Sequence, residues 1–187
     1  MMYIEDDEFI RGNCPMTKEE VRILSISKLG VSEDSRVLDI GAGTGSVSIQ
    51  LAKICSKGGI TAIEKDEEAL CLIEQNRKKF NVENLKVIEG EALKVEKDAQ
   101  GPFDAIFIGG SGGNIDGIIK LYGSKLESRG NMVLNFITLN NLYKAMSTLK
   151  DMNYKVECIQ VSINKTRGNS YMMTSSNSIF IVKAVKP

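Results

Sequence analysis

Apolar residues recur along the chain in two rhythms that alternate from residue 18 to about residue 150. Short, nearly continuous apolar runs change places with longer stretches whose apolar positions lie three and four apart. Val21, Leu24, Ile26 and Leu29 mark a first helix, predicted over 18–29, with Thr17 as its cap and Gly30 at its close. Arg36-Val37-Leu38-Asp39-Ile40 predicts a short buried strand. A helix over 46–55, a strand over 59–63, an amphipathic helix over 67–80 and a strand over 85–88 follow. The alternation continues with a strand over 103–108, a helix over 115–126, a turn at Arg129-Gly130, a strand over 132–137 and a helix over 140–150. Then the rhythm changes, because 154–163 and 178–185 are β-rich runs joined without a helix, which can pair only antiparallel.

This order predicts an α/β fold: a mostly parallel, seven-stranded sheet with helices on both faces and a C-terminal antiparallel hairpin. At 187 residues the chain has the size of one such unit, so residues 1–187 are expected to form a single domain with one active site.

Composition narrows the function. Lysine plus arginine and aspartate plus glutamate each number 24, so the net charge is zero and no nucleic-acid footprint is expected. The first residues are acidic where a signal peptide would be basic, and no apolar run approaches the ~18 residues that span a bilayer. A cytoplasmic protein without a membrane partner is expected. The four cysteines, Cys14, Cys55, Cys71 and Cys158, form no C-x-x-C pair, so neither a metal site nor a disulfide framework is expected. Histidine does not occur at all, which removes the commonest general base and every Ser-His triad. Group transfer from an activated cofactor tolerates that loss.

The chemistry-bearing segments sit where strands hand over to helices. Asp39-Ile40-Gly41-Ala42-Gly43-Thr44-Gly45 follows the first strand, the position at which open α/β sheets bind ligands. Its spacing is G-x-G-x-G, with Ser46 where a dinucleotide fingerprint would place its third glycine. The Asp39 carboxylate argues against a pyrophosphate and suits S-adenosylmethionine, whose methionine end carries an ammonium. Glu64 ends the second strand, where a carboxylate can accept hydrogen bonds from both ribose hydroxyls. Glu89-Gly90-Glu91-Ala92 follows the third strand, with Glu91 as the candidate partner of the adenine amino group. The fourth strand leads into Gly109-Gly110-Ser111-Gly112-Gly113, a backbone-lined wall on the acceptor side whose N–H groups suit carboxylates. An Asn/Asp-Pro-Pro-aromatic motif, which grips a planar amino group in nucleic-acid methylation, is not found there.

Glu5-Asp6-Asp7-Glu8-Phe9, Pro15-Met16-Thr17 with Glu20-Val21-Arg22, the 39–45 turn and the 109–113 loop together resemble the decarboxylating cobalt-precorrin methyltransferases of cobalamin biosynthesis. The resemblance runs across nearly the whole chain. It implies a Rossmann-like class I methyltransferase fold, S-adenosylmethionine as cofactor, and methylation of carbon 15 of a cobalt-precorrin with decarboxylation of its ring C acetate. It implies too that Thr17, Gly41 to Gly45, Glu64 and Ala92 line the cofactor. A homotetramer is implied, and association with another corrin-ring methyltransferase is compatible with it. A substrate rich in carboxylates asks for cations, and Arg11, Lys165 and Arg167 are the candidates, although any one such residue is by default a solvated surface charge. Tyr171, Met172 and Met173 share the last loop and suit either a macrocycle face or an interface. No catalytic acid or base is identified. The rival readings are an isoaspartyl-type or small-molecule O-methyltransferase, an RNA methyltransferase, a nicotinamide oxidoreductase, and a non-catalytic module that keeps the cofactor fold.

Overall fold

The computed structural model describes residues 3–110 and 112–187. Among the described residues, a short 3-10 helix (Asp6–Glu8) is followed by five α-helices and nine strands, in the order α1 (Glu19–Leu29), β1 (Arg36–Ile40), α2 (Ser46–Ile54), β2 (Gly59–Glu64), α3 (Glu67–Lys79), β3 (Leu85–Glu89), β4 (Phe103–Ile108), α4 (Ile115–Gly123), β5 (Leu126–Phe136), α5 (Leu139–Asp151), β6 (Lys155–Val161), β7 (Asn164–Arg167), β8 (Met172–Ser175) and β9 (Ile179–Val185). Seven strands form one sheet in the order β3-β2-β1-β4-β5-β9-β6. The first five run parallel, and β9 lies antiparallel between β5 and β6. The expected α/β sheet with its antiparallel end is therefore present.

Side chains alternate across the strands and build two cores. In β1, Val37 joins a core with α1, α2 and α3, while Leu38 and Ile40 join a second core with α4 and α5. β4 repeats the pattern, with Ala105 and Phe107 on the first side and Ile106 and Ile108 on the second. Burial on both faces explains why these strands read as continuous apolar runs.

Several expectations change. Thr17 does not cap α1: the cap position is Lys18, without a side-chain bond, and the Thr17 carbonyl instead accepts from Arg22 Nη1 at 2.8 Å. α4 stops at Gly123, three residues early, and β5 starts at Leu126. The Arg129-Gly130 step, read as a turn, is an irregularity inside β5: Arg129 has φ 64°, and the pairing with β4 slips between Phe103 and Ala105. The last loop holds a hairpin of its own, β7 with β8, whose largely exposed residues carry no core-facing pattern to read. Among the described residues, no helix is long and apolar enough to cross a membrane.

Candidate functional site

A cleft of about 750 Å³ opens at the C-terminal ends of the parallel strands, where Gly41 follows β1, Glu64 ends β2 and Gly109 follows β4. The chain winds outward in both directions from the β1–β4 pair, so the helices that follow these two strands diverge and leave a crevice.

The turn after β1 is shaped by close approach. Gly41 has φ 72°, and a Cβ there would lie 2.6 Å from the Gly110 carbonyl, so only glycine fits. Four of the turn's backbone donors are already used. Gly41 and Ala42 N–H donate to the Ile63 carbonyl at 2.9 and 3.2 Å, Gly43 N–H to Glu64 Oε2 at 2.8 Å, and Gly45 N–H to the Ala42 carbonyl at 2.9 Å. A phosphate-binding turn keeps such groups free for its ligand. Glu64 Oε1 also accepts from Lys65 and Asp66 N–H, at 2.7 and 3.0 Å, which fixes the carboxylate at the cleft wall.

Electrostatics agree with this arrangement. Glu64, Asp66 and Glu68 line one wall, and the Cys14 thiol opposite is pushed up from its ordinary pKa by burial and then by these three carboxylates. That wall attracts a cation and repels a pyrophosphate. Asp39 is fully buried behind the turn rather than on the wall, on the α2 side of β1. Its Oδ2 accepts from Ser48 Oγ of α2 at 2.5 Å, and burial pushes its pKa up to about 7, with Ser48 opposing the shift and Glu64 adding to it. Among the described residues, Asp39 Oδ1 and the buried Thr44 Oγ1 have no hydrogen-bond partner.

The second wall is a strap formed by residues 3–17, whose Asn13, Cys14, Pro15, Met16 and Thr17 face the cleft. Buried polar side chains from three helices stitch it down. Arg22 of α1, fully buried, donates to the Ile4 carbonyl at 2.5 Å and to Asp6 Oδ1 at 3.1 Å, and stacks 4.8 Å from the centre of the Phe9 ring. Gln50 Oε1 of α2 accepts from Ile4 N–H at 2.7 Å. Asn76 of α3, also fully buried, accepts from Ile10 N–H at 2.9 Å and donates to the Ile10 carbonyl at 2.8 Å and the Thr44 carbonyl at 2.9 Å. Asn76 thus joins the strap to the glycine turn.

Of the residues singled out in the sequence, the cleft wall brings together Thr17, Gly41, Ala42, Gly43, Glu64, Ala92, Gly109, Gly110 and Gly112. Asp39, Thr44, Gly45, Glu91 and Gly113 stand outside it, as do Arg11, exposed on the strap, and Lys165, exposed and paired with Glu20 at 2.5 Å. Ser111 and the side chain of Arg167 lie outside the described residues. The wall adds residues that periodicity could not reveal: Asn13, Cys14, Lys18, Lys65, Glu68 and Asn135. Lys65 and Glu68 follow closely after Glu64 in sequence, which was the available signal. At the acceptor end, Phe136, Ile137 and Ile179 make the wall apolar.

Residues 8–186 match the family model described as a precorrin methyltransferase domain. The chain is 42% identical, over 98% of its length and 97% of the relative's, to a probable cobalt-precorrin-6B C(15)-methyltransferase (decarboxylating) of Sulfurisphaera tokodaii. It is 36% identical, over 98% of its length and 96% of the relative's, to the cobalt-precorrin-6B C(15)-methyltransferase (decarboxylating) of Salmonella typhimurium. The crystal structure of a precorrin-6y C5,15-methyltransferase from Geobacter metallireducens superposes with a TM-score of 0.94 at 39% identity, covering 100% of this chain and 97% of that one.

Proposed function

The chain belongs to the precorrin methyltransferase domain family, and from that membership we propose that it methylates carbon 15 of a cobalt-precorrin and decarboxylates the ring C acetate, using S-adenosylmethionine. The observation that carries this reading is the cleft after β1, with the Gly41, Ala42, Gly43 and Gly45 N–H groups internally satisfied and three carboxylates on one wall. That environment fits a cationic, phosphate-free nucleoside and disfavours a nicotinamide dinucleotide.

S-adenosylmethionine, when bound, supplies an electrophilic methyl group on a sulfonium. Glu64 holds the ribose hydroxyls, Gly41, Ala42 and Gly43 with Thr17 contact the methionine portion, and Ala92 borders the adenine. Thr44, Gly45 and Glu91 support these contacts from outside the wall. Gly109, Gly110 and Gly112 leave room for the macrocycle beside the cofactor. The chain's contribution to methyl transfer is orientation of the nucleophilic carbon and exclusion of water, for which the strap and the apolar acceptor end are built. In decarboxylation the carbon–carboxylate bond breaks, carbon dioxide leaves, the electron pair delocalises into the conjugated ring, and a proton from solvent then converts the remaining methylene to a methyl group. A dry apolar wall favours that loss of charge, and no imidazole is required.

The same reading makes the protein a cytoplasmic homotetramer whose single domain carries the whole site, able to associate with another corrin-ring methyltransferase. Exposed apolar residues support self-association: Leu139 and Tyr143 on α5, and Tyr171, Met172 and Met173 around the start of β8.

Calorimetry with S-adenosylhomocysteine, followed by turnover of labelled S-adenosylmethionine with a cobalt-precorrin bearing an intact ring C acetate, tests the assignment. The expected result is binding, gain of one methyl and release of carbon dioxide. Binding without turnover would keep the cofactor and reject the acceptor.

A further inference from the structure

The cleft's charge is unevenly spread. Its wall carries the acids Glu64, Asp66 and Glu68 and, among the described residues, two cations, Lys18 and Lys65. Both lysines are exposed, and among the described residues neither forms an ion pair.

Lys65 follows β2, yet its Nζ would lie 3.5 Å from a Cβ placed on Gly112, in the loop after β4. Its side chain therefore crosses the mouth of the β1 turn from the cofactor side to the acceptor side. Around Gly110 and Gly113 a Cβ would meet nothing within 4 Å, so there is space beside the ammonium for a ligand group. Lys18 stands across the cleft at the start of α1, next to Thr17.

We propose that Lys65 and Lys18 hold two peripheral carboxylates of the tetrapyrrole, and that the loop beside Gly112 is the seat of the first. The inference rests on the functional reading above and deepens it by naming the cations that the substrate requires. These carboxylates are spectators, not the departing acetate. An ammonium facing the departing group would stabilise its charge and oppose loss of carbon dioxide. The departing acetate belongs instead against the apolar wall at Phe136, Ile137 and Ile179. Flexible, hydrated lysines suit carboxylates on rotatable side chains at a cleft rim, where a rigid guanidinium fork is unnecessary.

Lys65→Met and Lys18→Met test the proposal in the full-length protein, with methyl transfer to the cobalt-precorrin measured across a range of salt concentrations. Each change is expected to raise KM for the tetrapyrrole roughly three- to tenfold. The two effects should multiply in the double variant, KM should depend less on salt, and affinity for S-adenosylhomocysteine should hold. Wild-type turnover with KM unmoved by either substitution overturns the inference alone. A parallel loss of S-adenosylhomocysteine affinity also overturns it, assigning the lysines to the cofactor. A wild-type protein that binds S-adenosylhomocysteine but not the macrocycle brings down the functional reading together with the inference.

Discussion

Asp39 and Glu64 are neighbouring acids in sequence logic but have opposite physical situations. Asp39 carries its carboxyl in a fully buried place with one hydroxyl donor, and its pKa rises from 3.8 to about 7. The folded state holds a proton that the unfolded chain releases, so this contribution to stability is complete below about pH 3.8 and is lost as pH rises to about 7. Asp39→Asn keeps an acceptor for Ser48 and cannot ionise. Its stability relative to the parent should climb across that window with a slope approaching about 1.4 kcal/mol per pH unit in urea denaturation. Equal pH slopes for the two proteins would show that Asp39 does not titrate there. Glu64, by contrast, is fixed by three backbone donors and keeps lone pairs for a ligand. Glu64→Ala should weaken S-adenosylhomocysteine about 10- to 100-fold by calorimetry, since hydrogen bonds to a charged group contribute about 1.5–3 kcal/mol. Undiminished affinity would remove Glu64 from the site.

At the scale of elements, the strap and α3 act together through Asn76. Asn76→Ala strips the Ile10 N–H and the Ile10 and Thr44 carbonyls of their side-chain partner, a cost of about 1–3 kcal/mol. The expected consequences are faster tryptic cleavage at Arg11 and weaker S-adenosylhomocysteine binding, because residues 13–17 form part of the cleft. Cleavage at the parent's rate would mean that other contacts hold the strap. None of this was legible in the sequence. The strap has no apolar period, and Asn76 sits in α3 among charged residues that look solvated. What was legible were the elements with strong periods, from α1 to α5, and the segments at their junctions, Gly41 to Gly43, Glu64 and Gly109. Asp39 was found by position but lies buried outside the cleft wall, because alternation along β1 turns it toward α2. Lys165, a candidate cation by its place in the last loop, pairs with Glu20 of α1, a partner far off in the chain that no local pattern in the sequence reveals.

For the whole molecule, the apolar groups left in solvent set the expectation for assembly. Light scattering should give about four times the 20.5 kDa chain mass. Met172→Glu with Met173→Glu should shift the population toward smaller species, since the two methionines are 60% and 61% exposed and a charge there would be costly to bury. A monomer in the parent protein would dismiss the tetramer.

The placement of β9 between β5 and β6 also bears on how the molecule is made. β5, which ends at Phe136, can pair with β4 at once, but its second edge and β6, which ends at Val161, find no partner until Ile179–Val185 has been synthesised. On the ribosome, the nascent chain therefore carries an unpaired β5 edge and a stray β6 while the β7–β8 hairpin is still emerging. This is the kind of interval in which holding chaperones and slow translation protect a chain from edge-to-edge aggregation.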